Sequence, residues 1–526
     1  MRWLFLLLPL FSMLLNAQAI DPASKAGYTS INAADLKVNL TVLSSDSLEG
    51  RETSYPGQKK AANYIAGIFK KLNLKPIGDD GTYFQHFDVE ISRVHPETKI
   101  ILEIGGLKKN YEWETDFISE GAGDTTVTGL AAFVGFTDTE LDSAAQAKLA
   151  GRVVFAFIGR KGYASDTSKA TTLRRLYSNR RDAGAIASLM IPDEEGPAAF
   201  QQAQQMRRDY GLDKGIMRMK GAPMQVQSSN IHFLVSRVLA EEVLKSSGKS
   251  LKELRNEALQ DRKFTPVFID DASLTIRVKI IHEIKQTENV LGLLPGSDPL
   301  LKAQIVAFTA HYDHLGKTQD GVLYPGADDD GSGTVAVLEL AEAYAKNPIK
   351  PKRSLLFMTV VGEEKGLFGS QYYTSNPLIP LNQTIADLNM DMIGRIDTLH
   401  EARKDTNYIY VIGSDKISLE LDSLLQAANT ETEQLTFDYK YNDESDPERF
   451  YYRSDHYNFA KKKVPIIFYF DGEHADYHKP TDEVEKIDFT ILSKRAQLVF
   501  YTGWKLANAP KRPAVDREGF ASPQNR

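Results

Sequence analysis

The chain has 526 residues, a formal net charge of −7, 42% hydrophobic residues and 25% charged residues. These values are typical of a globular protein and exclude a disordered chain or a multi-pass membrane protein. The mildly acidic balance gives no electrostatic reason to expect a nucleic-acid partner. Because the chain has no cysteine, disulfides, zinc–thiolate sites and a cysteine nucleophile are excluded as well.

The first 19 residues have the pattern of a secretory signal peptide. Arg2 precedes the apolar stretch 3–15, and Ala17-Gln18-Ala19 has small residues at the spacing that signal peptidase cleaves. The stretch is shorter than the ~20 apolar residues that span a bilayer, which favours cleavage over the alternative of an uncleaved anchor. We therefore expect a secreted or periplasmic protein with no stable membrane anchor.

The region between the leader and about residue 271 has a mixed α/β pattern. Its apolar spacing predicts two helices over 32–74 that are separated by a loop. Further elements are predicted as strands over 98–118, 131–134, 153–157 and 185–191, and as a helix over 172–183. From about Asp271 onward, buried strands alternate with helices, which is typical of a mostly parallel sheet with helices on both faces.

The residues suited to chemistry follow the strands of this later region. Ligands of open α/β sheets bind beyond the carboxyl ends of the strands. Four strands are predicted at 305–310, 355–361, 385–390 and 464–470, and a glycine-rich turn follows the first at 325–333. The polar residues that come directly after these strands are His311, Asp313, His314, Glu363, Glu364, Asp391, His474, Tyr477, His478 and Asp482.

Imidazoles and carboxylates without a thiol suit Zn²⁺ or another borderline divalent metal. Two imidazoles and three carboxylates are more ligands than one catalytic zinc takes, so they favour a metal pair with a bridging carboxylate. The consecutive Glu363 and Glu364 allow one carboxylate to bind metal while its neighbour transfers protons.

The acidic turn also fits an EF-hand calcium loop that starts at Asp328 and ends at Glu339. An EF-hand needs a helix that enters the loop, whereas Leu323-Tyr324-Pro325-Gly326 has the pattern of a turn. The sequence therefore favours the transition-metal site over calcium.

Five motifs resemble peptidase family M28, the zinc-dependent aminopeptidases with two co-catalytic zinc ions. They are AHYDHLG, PGADDDGSG, VGEEKGLFGS, LNMDMIG and DYHKPTDE, and the resemblance covers about 30–110 and 270–505. GRVVFAFIGR and RRDAGAIASLMI resemble the protease-associated domain that is often inserted in such enzymes. The resemblance implies an α/β zinc-exopeptidase fold, with a mostly parallel central sheet flanked by helices and a smaller mixed α/β insert. The implied domains are a signal peptide (1–19), the first part of the peptidase domain (20–111), the protease-associated insert (112–265), the main part of the peptidase domain (266–507) and a loosely ordered tail (508–526).

The resemblance also implies roles for particular residues. One zinc ion would be held by His311, Asp328 and Asp391, and the other by Asp328, Glu364 and His478, with Asp328 bridging. The remaining implied roles are Glu363 as the general base, Asp313 as the carboxylate that orients His311, Tyr477 as an oxyanion donor, and a cis peptide after Asp328. His314 and His474 match no ligand position, which favours structural roles for both.

The implied activity is removal of N-terminal residues from peptides with a free amino terminus, with two Zn²⁺ ions per chain. A carboxypeptidase or dipeptidase on the same fold is an alternative, as is a glutaminyl cyclase, although cyclase relatives use a single zinc. A non-catalytic, receptor-like relative is a further alternative that the complete ligand set disfavours. The sequence does not indicate the oligomeric state or the preferred side chain at the cleaved position.

Overall fold

The structure is a computed structural model that describes residues 20–119, 123–137, 139–158, 184–193, 198–209, 214–221, 231–260 and 264–520. The predicted signal peptide and the predicted helix over 172–183 lie outside the described residues. No helix in these ranges is long and apolar enough to cross a membrane.

The described strands, in chain order, are β1 Lys75–Pro76, β2 Phe84–Val94, β3 Lys99–Ile104, β4 Leu107–Glu112, β5 Phe117–Ser119, β6 Thr125–Phe136, β7 Val153–Ile158, β8 Ala187–Pro192, β9 Ile216–Met219, β10 Ile231–Val235, β11 Val267–Val278, β12 Ile280–Leu294, β13 Ile305–His311, β14 Gly316–Lys317, β15 Leu323–Tyr324, β16 Ser354–Val360, β17 Thr384–Met390, β18 Tyr408–Ile412, β19 Thr436–Asp438 and β20 Ile466–Phe470. The described α-helices are Lys25–Ser30, Ala33–Leu43, Pro56–Lys71, Ser143–Ala147, Ala198–Asp209, Arg237–Leu244, Leu251–Gln260, Gly333–Lys346, Phe368–Ser375, Thr398–Arg403, Leu419–Glu431, His456–Ala460 and Phe489–Asn508.

The chain divides into two compact units. The first contains the described residues of 1–87, 287–317 and 322–526, and the second contains those of 88–286 and 318–321. The second unit is therefore wider than the insert predicted over 112–265. Its identity as a protease-associated domain stays a prediction.

The first unit contains a sheet with the strand order β19-β18-β20-β17-β13-β16-β12. Its central strand β13 pairs in parallel with β16 and β17, and β17 pairs in parallel with β20. The outer pairs β12–β16 and β18–β20 are antiparallel. The predicted sheet with a parallel centre is confirmed, and four carboxyl ends of its strands face the same edge.

Helices cover this sheet through aromatic contacts. Tyr344 of the helix Gly333–Lys346 lies with its ring centroid 4.2 Å from that of Phe500 in the helix Phe489–Asn508 and 5.7 Å from that of Phe308 in β13. Phe308 in turn stacks on Phe357 of β16. These rings bury a large apolar area, and this packing stabilises the positions of β13 and β16. The polar residues that follow these strands are thereby held in place.

The second unit has an eight-stranded sheet with the order β4-β3-β11-β6-β7-β8-β10-β5. Four neighbouring strands, β6, β7, β8 and β10, are parallel, and the remaining pairs are antiparallel. This unit is mixed α/β, as the sequence pattern predicts.

The chain from 509 to 520 packs more closely than the predicted loose tail. The backbone N–H of Gly519 donates to the carbonyl of Lys416, and the Phe520 ring centroid lies 4.6 Å from that of Tyr451. Residues 521–526 lie outside the described part of the chain.

Candidate metal centre and active site

The polar residues predicted at the strand ends meet at one edge of the first sheet. His311 is the last residue of β13, Glu363 and Glu364 follow β16, Asp391 follows β17, and His478 lies in the loop after β20. They converge because β13, β16, β17 and β20 run in the same direction.

The first group of possible metal ligands consists of His311, Asp329 and Asp391. The His311 Nε2 atom lies 3.2 Å from Asp329 Oδ1 and 3.5 Å from Asp391 Oδ1. Two ligand atoms that each lie about 2.0–2.1 Å from one tetrahedral zinc are separated by roughly 3.3 Å. The distances of this group fit such a site.

The second group contains Asp329 again, together with Glu364 and two imidazoles. His478 Nε2 lies 3.0 Å from Asp329 Oδ2 and 3.3 Å from Glu364 Oε2, which also fits shared coordination. His314 Nδ1 lies 2.8 Å from Glu364 Oε1. Each oxygen of the Asp329 carboxylate therefore faces a different group of possible ligands.

Asp329, and not Asp328, belongs to both groups of possible ligands, which corrects the sequence assignment by one residue. Asp328 Oδ1 accepts a hydrogen bond from the Gly394 N–H at 2.8 Å, and its Oδ2 lies 3.2 Å from His474 Nε2. These contacts direct the Asp328 carboxylate away from both groups. The cis peptide expected after Asp328 is likewise found one bond later, between Asp329 and Asp330.

The backbone of the turn determines which aspartate faces the site. Asp329 and Asp330 have non-helical backbone angles within the segment Ala327–Ser332. The buried Asp482 carboxylate accepts the backbone N–H groups of both Asp328 and Asp329, at 3.0–3.2 Å. The Asp482 carboxylate thus holds the backbone of this turn.

The structure also excludes the EF-hand alternative. The Asp330 carboxylate accepts backbone N–H groups from His311, Gly333 and Met392 at 2.9–3.1 Å. Glu339 instead accepts the backbone N–H of Asn32. The carboxylates that an EF-hand would direct at one calcium ion are therefore engaged in separate backbone contacts.

Asp313 lies beside His311, but its closer atom is the backbone carbonyl. The His311 Nδ1 atom is 3.0 Å from the Asp313 carbonyl oxygen and 3.8 Å from its carboxylate. The carboxylate instead accepts the Thr53 hydroxyl at 2.6 Å and the Glu363 backbone N–H at 3.3 Å. Asp313 therefore orients His311 through its main chain and the Glu363 segment through its side chain.

The two consecutive glutamates differ in their protonation. Burial raises the pKa of Glu363 well above its ordinary value, and the nearby Asp391 and Glu364 carboxylates add to this against the opposing His311 imidazole. Burial and Asp329 would also raise the pKa of Glu364, but His478 and His314 lower it to about 2. One glutamate is thus suited to carry a proton and the other to stay anionic, and the assignment of Glu363 as the general base stays a prediction.

A cavity opens beside the first group of possible ligands. Its polar lining includes Glu363 and Tyr477, together with an ion pair in which Arg453 Nη2 lies 3.0 Å from Glu473 Oε1. The apolar lining consists of Met392, Phe450, Phe468 and Phe470.

Tyr477 keeps its hydroxyl proton in this cavity. Burial raises the pKa of Tyr477, and the Asp329 and Glu364 carboxylates raise it further. Its hydroxyl lies 3.4 Å from Arg453 Nη2. The side chain is therefore a hydrogen-bond donor in the cavity, as an oxyanion donor must be.

The sequence analysis missed Arg51, which supports the site from the N-terminal part of the chain. Its buried guanidinium donates to the carbonyl oxygens of Leu43, Tyr312, Pro325 and Gly326 at 2.7–2.8 Å. It thereby ties the segment after β13 to the glycine-rich turn. The sequence holds no local signal for this role, because an arginine in a loop has the pattern of a solvated charge.

The sequence Ser454-Asp455-His456 forms no catalytic relay. Ser454 lines the cavity, Asp455 accepts the Ser370 hydroxyl, and His456 Nε2 lies 3.0 Å from the Tyr451 carbonyl oxygen. The three side chains have separate partners, as expected for consecutive residues.

Residues 289–503 match the model of peptidase family M28. A probable leucine aminopeptidase of Trichophyton verrucosum is 28% identical in an alignment that covers 44% of this chain and 61% of the relative. A probable zinc metalloprotease of Pyrenophora tritici-repentis is 28% identical in an alignment that covers 43% of this chain and 52% of the relative. The chain thus spans only about half to three fifths of the length of these curated relatives.

Among solved structures, an aminopeptidase from Aneurinibacillus sp. strain AM-1 has a TM-score of 0.54. The two sequences are 19% identical, and the match covers 94% of this chain and 98% of that one. At this identity the likeness shows a shared fold.

Proposed function

We propose that the chain is an exported aminopeptidase with two zinc ions, starting from the match of residues 289–503 to the model of peptidase family M28. The observation that carries the proposal is the Asp329 carboxylate, whose two oxygens face two separate groups of possible ligands. The N-terminal signal pattern supports export, and N-terminal sequencing of the mature protein from culture fractions tests it.

The donors of both groups fit zinc. They are buried nitrogen and carboxylate oxygen atoms at ligand-to-ligand distances of 3.0–3.5 Å. Asp329 Oδ2 is buried without a hydrogen-bond partner among the described residues. A buried carboxylate oxygen is costly unless a proton, a donor or a cation satisfies it. We assign one ion to His311, Asp329 and Asp391, and the other to Asp329, Glu364 and His478.

Hydrolysis then follows from the positions of the side chains. When bound, the two ions supply Lewis acidity for the scissile carbonyl and lower the pKa of the attacking water. Glu363 takes the proton of that water and later delivers it to the leaving nitrogen. The Tyr477 hydroxyl donates a hydrogen bond to the oxyanion that forms at the carbonyl carbon.

The cavity supports a preference for apolar N-terminal side chains. Its apolar wall, formed by Met392, Phe450, Phe468 and Phe470, gives leucine or phenylalanine a surface to bury. The charge of Arg453 is balanced by Glu473, so a neutral side chain loses little solvation there.

The test uses residues 20–526 supplied with zinc and three leucyl peptides: one with free termini, its N-acetylated form and its C-terminal amide. Mass spectrometry identifies the bonds that are cleaved. We expect release of N-terminal leucine from the free and the amidated peptides, no cleavage of the acetylated form, and loss of all cleavage after chelation.

Cleavage of the acetylated peptide with loss of its C-terminal residue would establish a carboxypeptidase and refute the proposal. Cyclisation of an N-terminal glutamine without peptide cleavage would establish the glutaminyl cyclase alternative. Zinc binding without turnover of any peptide in a set that covers all N-terminal side chains would favour the receptor-like alternative.

A further inference from the structure

His314 is an imidazole whose position in the second group has no role in the proposed mechanism. It is fully buried and follows His311 by three residues. Its backbone N–H donates to the carbonyl of Arg51 at 3.3 Å. Its ring packs so closely on Gly326 that a Cβ atom at that glycine would lie 2.5 Å from two ring carbons. The surrounding fold therefore fixes the ring beside the site.

The fixed ring is directed at one oxygen of Glu364. His314 Nδ1 lies 2.8 Å from Glu364 Oε1 but 3.8 Å from Asp329 Oδ2. The other oxygen, Glu364 Oε2, lies 3.3 Å from His478 Nε2. The two oxygens of Glu364 thus face two different imidazoles.

The two imidazole distances correspond to two different kinds of contact. Two ligands of one tetrahedral zinc are separated by roughly 3.3 Å, which the His478 distance matches. A charge-assisted N–H···O hydrogen bond is about 2.7–2.9 Å long, which the His314 distance matches. The distance of His478 thus fits a ligand and that of His314 fits a hydrogen-bond donor to a ligand, although the ligand atoms of His314, Asp329 and Glu364 also lie close enough together to hold a metal ion.

We propose that His314 is a positioning residue that donates its Nδ1–H to Glu364 Oε1 and so presents Glu364 Oε2 to the second cation. The proposal rests on the metal centre of the proposed function. The contact is at hydrogen-bond distance but outside hydrogen-bond alignment in the metal-free site. Residues that orient metal ligands in this way contribute about 10–100-fold to metal affinity.

The test compares His314→Leu with His314→Gln. Each protein is stripped of metal and titrated with zinc against a chromophoric chelator, which gives the dissociation constants of both ions without any substrate. For His314→Leu we expect one constant to rise about 10–100-fold while the other stays unchanged. For His314→Gln, whose amide N–H can still donate to Glu364, we expect both constants within a few-fold of the wild type.

Activity provides a second readout. Because the variant changes the orientation of a ligand and not the reacting groups, excess zinc should restore the kcat of His314→Leu towards the wild-type value. Equal losses of zinc affinity in His314→Leu and His314→Gln would indicate that His314 itself binds the metal, and this would overturn the proposal. Unchanged constants in His314→Leu would overturn it as well.

A buried histidine–carboxylate pair elsewhere supplies the matched control. His400 is 2% exposed, and its Nδ1 atom lies 2.7 Å from Asp397 Oδ1, outside both groups of possible ligands. His400→Leu should leave both zinc dissociation constants unchanged. A rise in this variant equal to that of His314→Leu would attribute the effect to general destabilisation and overturn the proposal.

His314→Leu could be tested only if it folds. If it does not fold, a loss of zinc affinity in His314→Gln that matches the loss in Glu364→Ala overturns the proposal. Because zinc binding is read without substrate, failure here is distinguishable from failure of the proposed activity.

Discussion

The two units of the chain contain the same kind of parallel strand arrangement, but in the described part of the chain only the first unit has possible metal ligands at the ends of these strands. In the first unit β13, β16 and β17 end beside His311, Glu363, Glu364 and Asp391. In the second unit the parallel strands β6, β7 and β8 end at Phe136, Ile158 and Pro192. Among the described residues, both groups of possible metal ligands belong to the first unit.

This difference shows what a parallel sheet does and does not provide. Aligned carboxyl ends create a place where loops converge, but the side chains that follow each strand decide whether that place binds metal. In β7, for example, Phe155 and Phe157 pack in the hydrophobic core of the second unit. Variants in the first unit and in the second unit test this difference.

The largest effect is expected at the shared ligand. Asp329→Asn removes a negative charge from both groups, so we expect weak binding of both zinc ions and a loss of activity of about a thousandfold or more. Asp328→Asn is the matched control, because its amide oxygen can still accept the Gly394 N–H. Measured zinc content and kcat/KM should fall only in the Asp329 variant, and the opposite result would restore the sequence assignment of Asp328.

The next effect concerns the general base. Glu363→Gln keeps the size of the side chain but removes its ability to take a proton, so kcat should fall about 10²–10⁴-fold while both zinc ions stay bound. Glu473→Gln makes the same chemical change in the same cavity, where Glu473 pairs with the partly exposed Arg453. It should alter kcat much less. Substantial turnover by a fully zinc-loaded Glu363→Gln protein would refute its role.

The sequence predicted the strand ends well because a buried strand and the polar residue after it are adjacent in the chain. The sequence could not predict which carboxylate of Asp328, Asp329 and Asp330 faces the site. Three consecutive aspartates in a turn have no periodicity that would indicate where each side chain points. The choice depends on the turn's backbone angles and on Asp482, more than 150 residues away in sequence. The contacts of Arg51 and the short distance between His314 and Glu364 could not be predicted either, because they join residues that are far apart in the sequence.

A smaller effect, confined to local stability, is expected from a core substitution in the second unit. Phe155 lies in β7 with no exposed surface, and Phe155→Ala should cost about 3–5 kcal/mol of local stability because it leaves a cavity. Hydrogen exchange followed by mass spectrometry should become faster in peptides from β7 and β8 but not in those from β13. Zinc affinity should stay unchanged, and its loss in this variant would contradict a metal centre that depends on the first unit alone.

The smallest effect concerns a buried carboxyl group of the first unit that lies outside the metal centre. Glu339 is 3% exposed in the helix Gly333–Lys346, and its Oε1 accepts the Asn32 N–H at 3.2 Å. Burial raises the pKa of Glu339 from its ordinary value of 4.5 to about 7, against the opposing Asn32 hydrogen bond. The folded state therefore retains a proton that the unfolded chain releases.

Protonated Glu339 makes its full contribution to the stability of the folded state below about pH 4.5. This contribution is lost as the pH rises through about 7. Glu339→Gln imitates the protonated form, so it should stabilise the protein at pH 8 by about 1–3 kcal/mol and have little effect at pH 4. Thermal unfolding between these pH values measures the difference. The partly exposed neighbour Glu342, which pairs with Lys346, provides the control, and Glu342→Gln should show no such rise. A stabilisation by Glu339→Gln that is independent of pH would show that shape, and not the buried charge, causes the effect.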